Sequence, residues 1–265
     1  MSELSRIQAV CITLNPKDPE RAQRALSEIK KLGFGDVGFF DGVDGRKLSD
    51  EKLKSLLTPR AYFELKNGRY VHEALSGVGS VGCYLAHTNA WRKCLENGEP
   101  LAIFEDDFVA KPGTRELMNK ALREARVLKF DVLRFQHRGN ADYREKTQDV
   151  EGSDVLVKVL HAEGLCAYIM TPRAARALLE QAFPLDAQVD HYVNMGCHYH
   201  KLNHLATKTN VFDDPQLRSH IDHNSIELYN DGFSTNTYRR HKVCIVTLAC
   251  IVILCVLLFV LLRSA

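Results

Sequence analysis

Leu101–Ala110 reads LAIFEDDFVA. An apolar run, Leu101 to Phe104, meets three consecutive carboxylates, Glu105, Asp106 and Asp107, and the chain turns apolar again at Phe108. A short apolar run with a polar break reads as a buried strand of an α/β sheet. Ligands of open α/β sheets bind beyond the C-terminal ends of the strands, where this triplet falls. Buried carboxylates need partners. A divalent cation, a ligand or both would serve. Oxygen-rich sites suit Mg²⁺ or Mn²⁺, usually shared with phosphate oxygens. Such a cation would bridge a diphosphate and stabilise charge on it as it leaves. A solvated turn at a strand end is the simpler alternative, and the triplet alone does not decide between them.

The flanking sequence extends the α/β pattern. Residues 7–14, IQAVCITL, form an apolar strand ended by Asn15-Pro16. Pro19-Glu20 opens a helix with Ala22, Ala25, Leu26, Ile29 and Leu32 on one face and Gly33 as its stop. DVGFFDGVDG then gives a second strand and a turn, so the chain begins as a βαβ unit. Residues 50–75 read as helices and a loop over the sheet. The glycines of SGVGSVG predict a turn, followed by a helix from Cys83 to Leu95 that ends at Asn97-Gly98. After the acidic strand, residues 114–129 predict a helix and DVLRFQ a strand. DVLVKVL and CAYIMT read as two more strands, and Pro172 opens PRAARALLEQA as a helix. Residues 184–235 carry little regular pattern and are rich in His, Asn and Asp.

The chain has 265 residues, 45% hydrophobic and 26% charged, enough for one large domain or two small ones. Its net charge is +2, and no basic stripe interleaved with aromatics appears, so nucleic acid is not an expected partner. MSELSRIQAV has no apolar h-region, so no signal peptide is expected. VCIVTLACIVILCVLLFVLL, Val243 to Leu262, is uncharged and mostly apolar. Its 20 or so residues would span ~30 Å, the thickness of a bilayer core. The basic flank Tyr238-Arg239-Arg240-His241-Lys242 favours the cytoplasmic side. The expectation is a single-pass C-terminal membrane anchor at 243–262 and a cytoplasmic domain over residues 1–240. The cysteines outside that run, Cys11, Cys83, Cys94, Cys166 and Cys197, do not form a disulfide framework, which agrees with a reducing compartment.

Several motifs occur in a fixed order. A strand ends at Asn15, with Arg21 six residues beyond it. DGVDG follows, with Asp44 and Gly45. Gly82-Cys83, Leu85, His87 and Trp91 lead to IFEDD. Gly164 to Leu179, PLDAQVDHY and NSI complete the set. Over about residues 7–226 this set resembles glycosyltransferase family 25, the lipopolysaccharide-biosynthesis and procollagen galactosyltransferase family. Ala86 stands where that family commonly has Ser before His. Asn15-Pro16 replaces its more usual Asn-Leu-Asp-Arg type of run. The C-terminal apolar run lies outside the pattern.

The resemblance implies a GT-A-like (Rossmann-like) nucleotide-sugar-binding domain. It further implies transfer of a hexose, galactose or glucose, from a UDP-sugar to a hydroxyl of a glycan, glycolipid or protein, with inversion and with Mn²⁺ or Mg²⁺. By the same resemblance Asp107 and Asp106 are metal ligands, Asp106 also being a candidate sugar contact. Glu105 meets the ribose or a basic partner, and His87 orients a site group. Arg21 approaches phosphate, and Asp44 belongs to the cofactor-binding set. A late histidine, His220 or His223, is a further metal candidate. Inversion also needs a base on the acceptor side, separate from the diphosphate side. Asp190 in VDHY is the first candidate for that base and Asp186 the second, while a helix N-cap would equally account for either. His191, Cys197, His198, His200 and His204 are zinc-capable residue types, but their spacing matches no closed zinc motif. Two other readings stand beside the transferase. One is a catalytically silent, membrane-tethered sugar-nucleotide-binding or scaffold protein. The other is a metal-dependent phosphohydrolase, which would share the acidic cluster but not the ordered motifs around it.

Overall fold

The computed structural model describes residues 2–68, 73–136 and 146–213. The run 243–262, His220, His223 and the NSI motif lie outside the described residues, and no described helix is long and apolar enough to cross a membrane.

The strands are β1 (Gln8–Thr13), β2 (Val37–Asp41), β3 (Leu101–Glu105), β4 (Val109–Ala110), β5 (Val132–Arg134), β6 (Lys146–Asp149), β7 (Leu156–His161), β8 (Ala167–Met170), β9 (His204–Thr207) and β10 (Phe212–Asp213). Eight of them form one sheet in the order β2-β1-β3-β8-β5-β9-β7-β6, while β4 and β10 make a separate pair. β1 runs parallel to both β2 and β3, which brings Thr13, Asp41 and Glu105 to one edge of the sheet. β8 inserts antiparallel between β3 and β5, so the sheet is mixed.

The helices are α1 (Arg24–Leu32), α2 (Asp50–Leu56), α3 (Pro59–Asn67), α4 (Val78–Asn97), α5 (Thr114–Val127), α6 (Pro172–Glu180) and α7 (Val189–Tyr199). A π-helical turn at Pro19–Gln23 precedes α1, and the Asp18 carboxylate caps it by accepting from the backbone N–H groups of Glu20 and Arg21. Strand side chains alternate between faces, and here the alternation sorts the core into two layers. Val10, Ile12, Leu101, Ile103, Tyr168 and Met170 pack under α4, α6 and α7. Ala9, Cys11, Ala102, Phe104, Ala167 and Ile169 pack under α1 and α5. The result is helix, sheet and helix in three layers.

Three expectations need correction. The SGVGSVG segment is not simply a turn before a helix, because α4 begins at Val78 and takes in Gly79 and Gly82. Gly82, with Gly45 facing the same helix, serves a close approach. A Cβ on Gly82 would lie 2.2 Å from the Val43 carbonyl oxygen, and one on Gly45 would lie 1.7 Å from that of Val78. The helix therefore seats directly against the 42–45 loop. The stretch after residue 184 is also more regular than expected, since it holds α7 and β9. Val189, Val193 and Cys197 recur every four residues on the buried side of α7. Finally, β4, β6, β9 and β10 are too short or too polar to stand out in the sequence.

Candidate functional site

A cleft of about 780 Å³ opens where β1, β2 and β3 end. Its floor carries Thr13 and the acidic triplet. One wall is the 42–48 loop, with Asp44, Arg46 and Lys47. The other is the start of α4, from Gly77 through Cys83 to His87. Arg21 reaches in from the turn before α1.

The acidic triplet is divided between the two faces of the sheet. Glu105 follows Leu101 and Ile103 in the alternation and faces α4. His87 Nε2 on that helix lies 3.1 Å from Glu105 Oε1, and the Cys83 thiol donates to the same oxygen at 3.9 Å. Asp106 falls on the α1 side. Its Oδ2 accepts from the Thr13 hydroxyl at 2.6 Å and its Oδ1 from Arg21 Nε at 2.9 Å. The Arg21 guanidinium also lies 3.3 Å from Asp107 Oδ2. Arg21 is buried, 8% exposed. Each carboxylate thus has a protein partner, and Arg21 is shared by Asp106 and Asp107.

These donors bear on a cation. Asp106 and Asp107 offer hard carboxylate oxygens at the mouth of the cleft, the ligand type that Mg²⁺ and Mn²⁺ take. The excess of carboxylate over guanidinium also suits a divalent charge. Arg21 already engages one oxygen of each aspartate, so a cation there would compete with it. Among the described residues, a second set of metal-capable groups is Cys83, His87 and Glu105, whose ligand atoms lie within 4.8 Å of one another.

The remaining sequence-predicted residues are spread more widely. Asp44 lines the cleft and is held by Arg46, whose Nε and second guanidinium nitrogen donate at 2.7 and 2.9 Å. That pairing lowers the Asp44 carboxyl below its ordinary range. Asp186 and Asp190 do not line the cleft. Asp186 is engaged by Arg60 and the Thr58 hydroxyl at the N-terminus of α3. Asp190 sits in the first turn of α7, where its Oδ2 accepts from Gly164 N–H at 2.8 Å and its Oδ1 from His191 N–H at 2.8 Å. It is the closer of the two to the cleft electrostatically. Burial first, then the charges of Glu105, Asp190 and Asp107, push the Cys83 thiol well above its ordinary range.

Three residues absent from the sequence-level list help build the site. Thr13 ends β1 and holds Asp106. Tyr168 on β8 bonds His87 Nδ1 at 2.9 Å. Arg134, fully buried at the end of β5, donates to the carbonyls of Ala162 and Gly164 at 3.0 and 2.8 Å and to that of Asp190 at 3.3 Å. It ties the loop that caps Asp190 to α7. The arginine inside DVLRFQ was the available signal, since a charge within an apolar strand must find buried partners.

Residues 11–193 match the profile of glycosyltransferase family 25 (LPS biosynthesis protein). A "Glycosyltransferase 25 family member" of Aedes aegypti is 29% identical over 201 residues, 73% of this chain and 32% of that protein. One from Drosophila melanogaster is 30% identical over 189 residues, 69% of this chain and 29% of its own length. "Procollagen galactosyltransferase 1-B" of Xenopus laevis is 27% identical over 165 residues, 60% of this chain and 25% of that protein. The chain therefore spans about a third or less of the length of these relatives. A solved UDP-glucose pyrophosphorylase in complex with UDP-glucose aligns at 13% identity with a TM-score of 0.44, covering 79% of this chain and 91% of that one.

Proposed function

The chain belongs to glycosyltransferase family 25, and from that premise we propose that it transfers a hexose, galactose or glucose, from a UDP-sugar to a hydroxyl of a glycan, glycolipid or protein. The observation that carries this reading is the acidic triplet on the floor of a 780 Å³ cleft where three parallel strands end. Pockets of about 300–1,000 Å³ are the usual size for cofactor-sized ligands. Lys47 and Arg46 on one wall, with the N-terminal turn of α4 on the other, make the cleft rim suited to a diphosphate.

In this reading Asp106 and Asp107 would hold Mn²⁺ or Mg²⁺, which supplies charge compensation to the departing diphosphate. Thr13 fixes the Asp106 carboxylate, and Arg21 lies where it can pair with phosphate once released from the aspartates. Transfer with inversion requires an acceptor hydroxyl to lose its proton to a base across the sugar from the leaving group. Asp190 is the better-situated candidate. Its two backbone hydrogen bonds fix its orientation, and the Arg134-held loop fixes its height over the sheet. Asp186, paired with Arg60, is the second. Residues 1–240 would form the catalytic domain, and residues 243–262 would anchor it with that domain on the cytoplasmic side. Protease protection on sealed vesicles tests that orientation.

One observation favours the silent alternative, a sugar-nucleotide-binding protein without turnover: Arg21 satisfies both aspartates without a cation. The deciding experiment incubates the purified chain with UDP-galactose or UDP-glucose, Mn²⁺ and a panel of acceptors, and follows UDP release. Turnover abolished by chelation supports the transferase. Asp107→Asn should then lower it by a factor on the order of 10² or more, if the ion stabilises the leaving group by a few kcal/mol. Binding of UDP-sugar with no turnover selects the silent reading. Turnover that survives thorough chelation removes the cation from the proposal.

A further inference from the structure

His87 and Trp91 lie one helical turn apart on α4, and both meet Tyr168 of β8. Trp91 and Tyr168 are fully buried, and His87 is 1% exposed. The hydrogen bonds among them have a direction. The indole N–H can only donate, and it donates to the Tyr168 oxygen at 2.8 Å. Among the described residues the other partner of that hydroxyl is His87 Nδ1, at 2.9 Å. With a proton on Nδ1, the Tyr168 oxygen would accept from both neighbours. Its own proton would then be buried without an acceptor, at a cost of about 1–3 kcal/mol. The satisfied arrangement has Tyr168 donating to Nδ1, which leaves the imidazole proton on Nε2. That N–H points at Glu105 Oε1, 3.1 Å away. The His87 and Tyr168 rings stack at 5.7 Å, which restrains the imidazole from turning over.

Glu105 Oε1 therefore receives two donors, the His87 imidazole and the Cys83 thiol, which its raised pKa keeps protonated. Oε2 has no hydrogen-bond partner among the described residues. The Glu105 side chain is 23% exposed and lines the cleft.

We propose that Trp91, Tyr168 and His87 are positioning residues, a one-way hydrogen-bond chain that holds Glu105 by one oxygen and presents the other as a fixed acceptor for a hydroxyl of the nucleotide sugar. The ligand half of this proposal rests on reading the cleft as a nucleotide-sugar site. The chain itself does not. The rival use of the same atoms is a metal site built from Cys83, His87 and Glu105. A metal on Nε2 would send the imidazole proton to Nδ1 and orphan the Tyr168 hydroxyl, so the buried partners oppose it.

The test uses the full chain with ¹⁵N-labelled histidine. Long-range ¹H–¹⁵N spectra distinguish a proton on Nε2 from one on Nδ1, and His87→Gln identifies the signal by its loss. The expected result is the Nε2–H form in the wild type and a shift toward Nδ1–H in Tyr168→Phe, which removes the donor while keeping the ring. Calorimetric titration with UDP-glucose and UDP-galactose should find binding weakened by about 2- to 10-fold in Tyr168→Phe, the worth of one fixed hydrogen bond. An Nδ1–H form in the wild type overturns the chain, even if Tyr168→Phe fails to fold. So does a Co²⁺ titration that produces an intense thiolate-to-metal absorption band lost in Cys83→Ser. Unchanged affinity in a folded Tyr168→Phe overturns the positioning role. A wild type with the Nε2–H form that binds neither UDP-sugar overturns the ligand half together with the nucleotide-sugar reading, and leaves the chain supported by its own spectrum.

Discussion

Replacing Arg21 with Met removes a guanidinium while keeping an unbranched apolar stem. Arg21 donates to Asp106 at 2.9 Å and lies 3.3 Å from Asp107, and the side chains of the two aspartates are 14% and 23% exposed. Removing one partner of a buried ion pair costs about 3–5 kcal/mol because the other charge is left uncompensated. Here the aspartates open onto a wet cleft, so solvent screening reduces the expected loss to about 2 kcal/mol. In a domain of this size that corresponds to a Tm lower by roughly 4–8 °C. The same change should act in the opposite direction on cations. In the metal reading Mn²⁺ would compete with Arg21 for carboxylate oxygens in the wild type, and in Arg21→Met it would not. Mn²⁺ should bind the variant at least as tightly as the wild type, by a margin on the order of tenfold. Saturating Mn²⁺ should therefore raise the Tm of the variant more than that of the wild type. The assay is thermal unfolding of both proteins in chelator and across a Mn²⁺ titration. An unchanged Tm in chelator would mean that the ion pair contributes nothing. Weaker Mn²⁺ binding by the variant would mean that Arg21 supports the cation and does not compete with it.

Gly82→Ala puts a methyl 2.2 Å from the Val43 carbonyl oxygen and 2.8 Å from Gly45 N. Pushing α4 off the 42–45 loop should cost at least about 2 kcal/mol in urea unfolding, beside a loss of UDP-sugar affinity. Asp190→Asn should leave Mn²⁺ and UDP-sugar affinity nearly unchanged and lower turnover by roughly 10²–10⁴, whereas Asp186→Asn should have little effect; the reverse pattern would exchange their roles. His204 is buried on β9, and burial, followed by the charge of Arg134, holds its pKa well below the ordinary 6.5. Below that pH the unfolded chain takes up a proton that the native state refuses. Stability should therefore fall with decreasing pH between 6.5 and 5, by up to about 1.4 kcal/mol per pH unit from this residue. Denaturant unfolding of His204→Gln across that window should have a shallower slope.

What could be read from the chain was whatever is local. β1 and α1 announce themselves through Asn15-Pro16, Pro19 and the Gly33 stop, each a signal within a few residues of the boundary it marks. α7 was hidden although its apolar period is intact at Val189, Val193 and Cys197. The His and Asn residues between them lower the mean hydropathy, and a polar stretch was read as an irregular one. Gly79 and Gly82 were read by their usual effect on helices. The actual use of Gly82 is a backbone contact with a loop some 40 residues earlier, which no local window contains. The insertion of β8 antiparallel between β3 and β5 is likewise a long-range choice, and it makes the sheet mixed.

The acidic triplet shows where such reading stops. That it marks a site at a strand end was legible, because the apolar run and the carboxylates are contiguous. What neutralises it was not, since Thr13 and Arg21 lie 93 and 85 residues away from Asp106. Strand alternation supplies the rule for dividing the carboxylates. Glu105 shares parity with Leu101 and Ile103, and Asp106 with Ala102 and Phe104. The rule yields partners only once it is known that α4 covers one face and α1 the other. Given that, a histidine on α4 and a hydroxyl at the end of β1 are the groups in reach. Three adjacent like charges then become tolerable because the sheet holds two of them on opposite faces, with His87 and Cys83 on one side and Thr13 and Arg21 on the other. Asp107 lies beyond the strand and shares the Arg21 guanidinium with Asp106. In the metal reading a cation would draw on that carboxylate at the cleft mouth, and Asp107→Asn tests it.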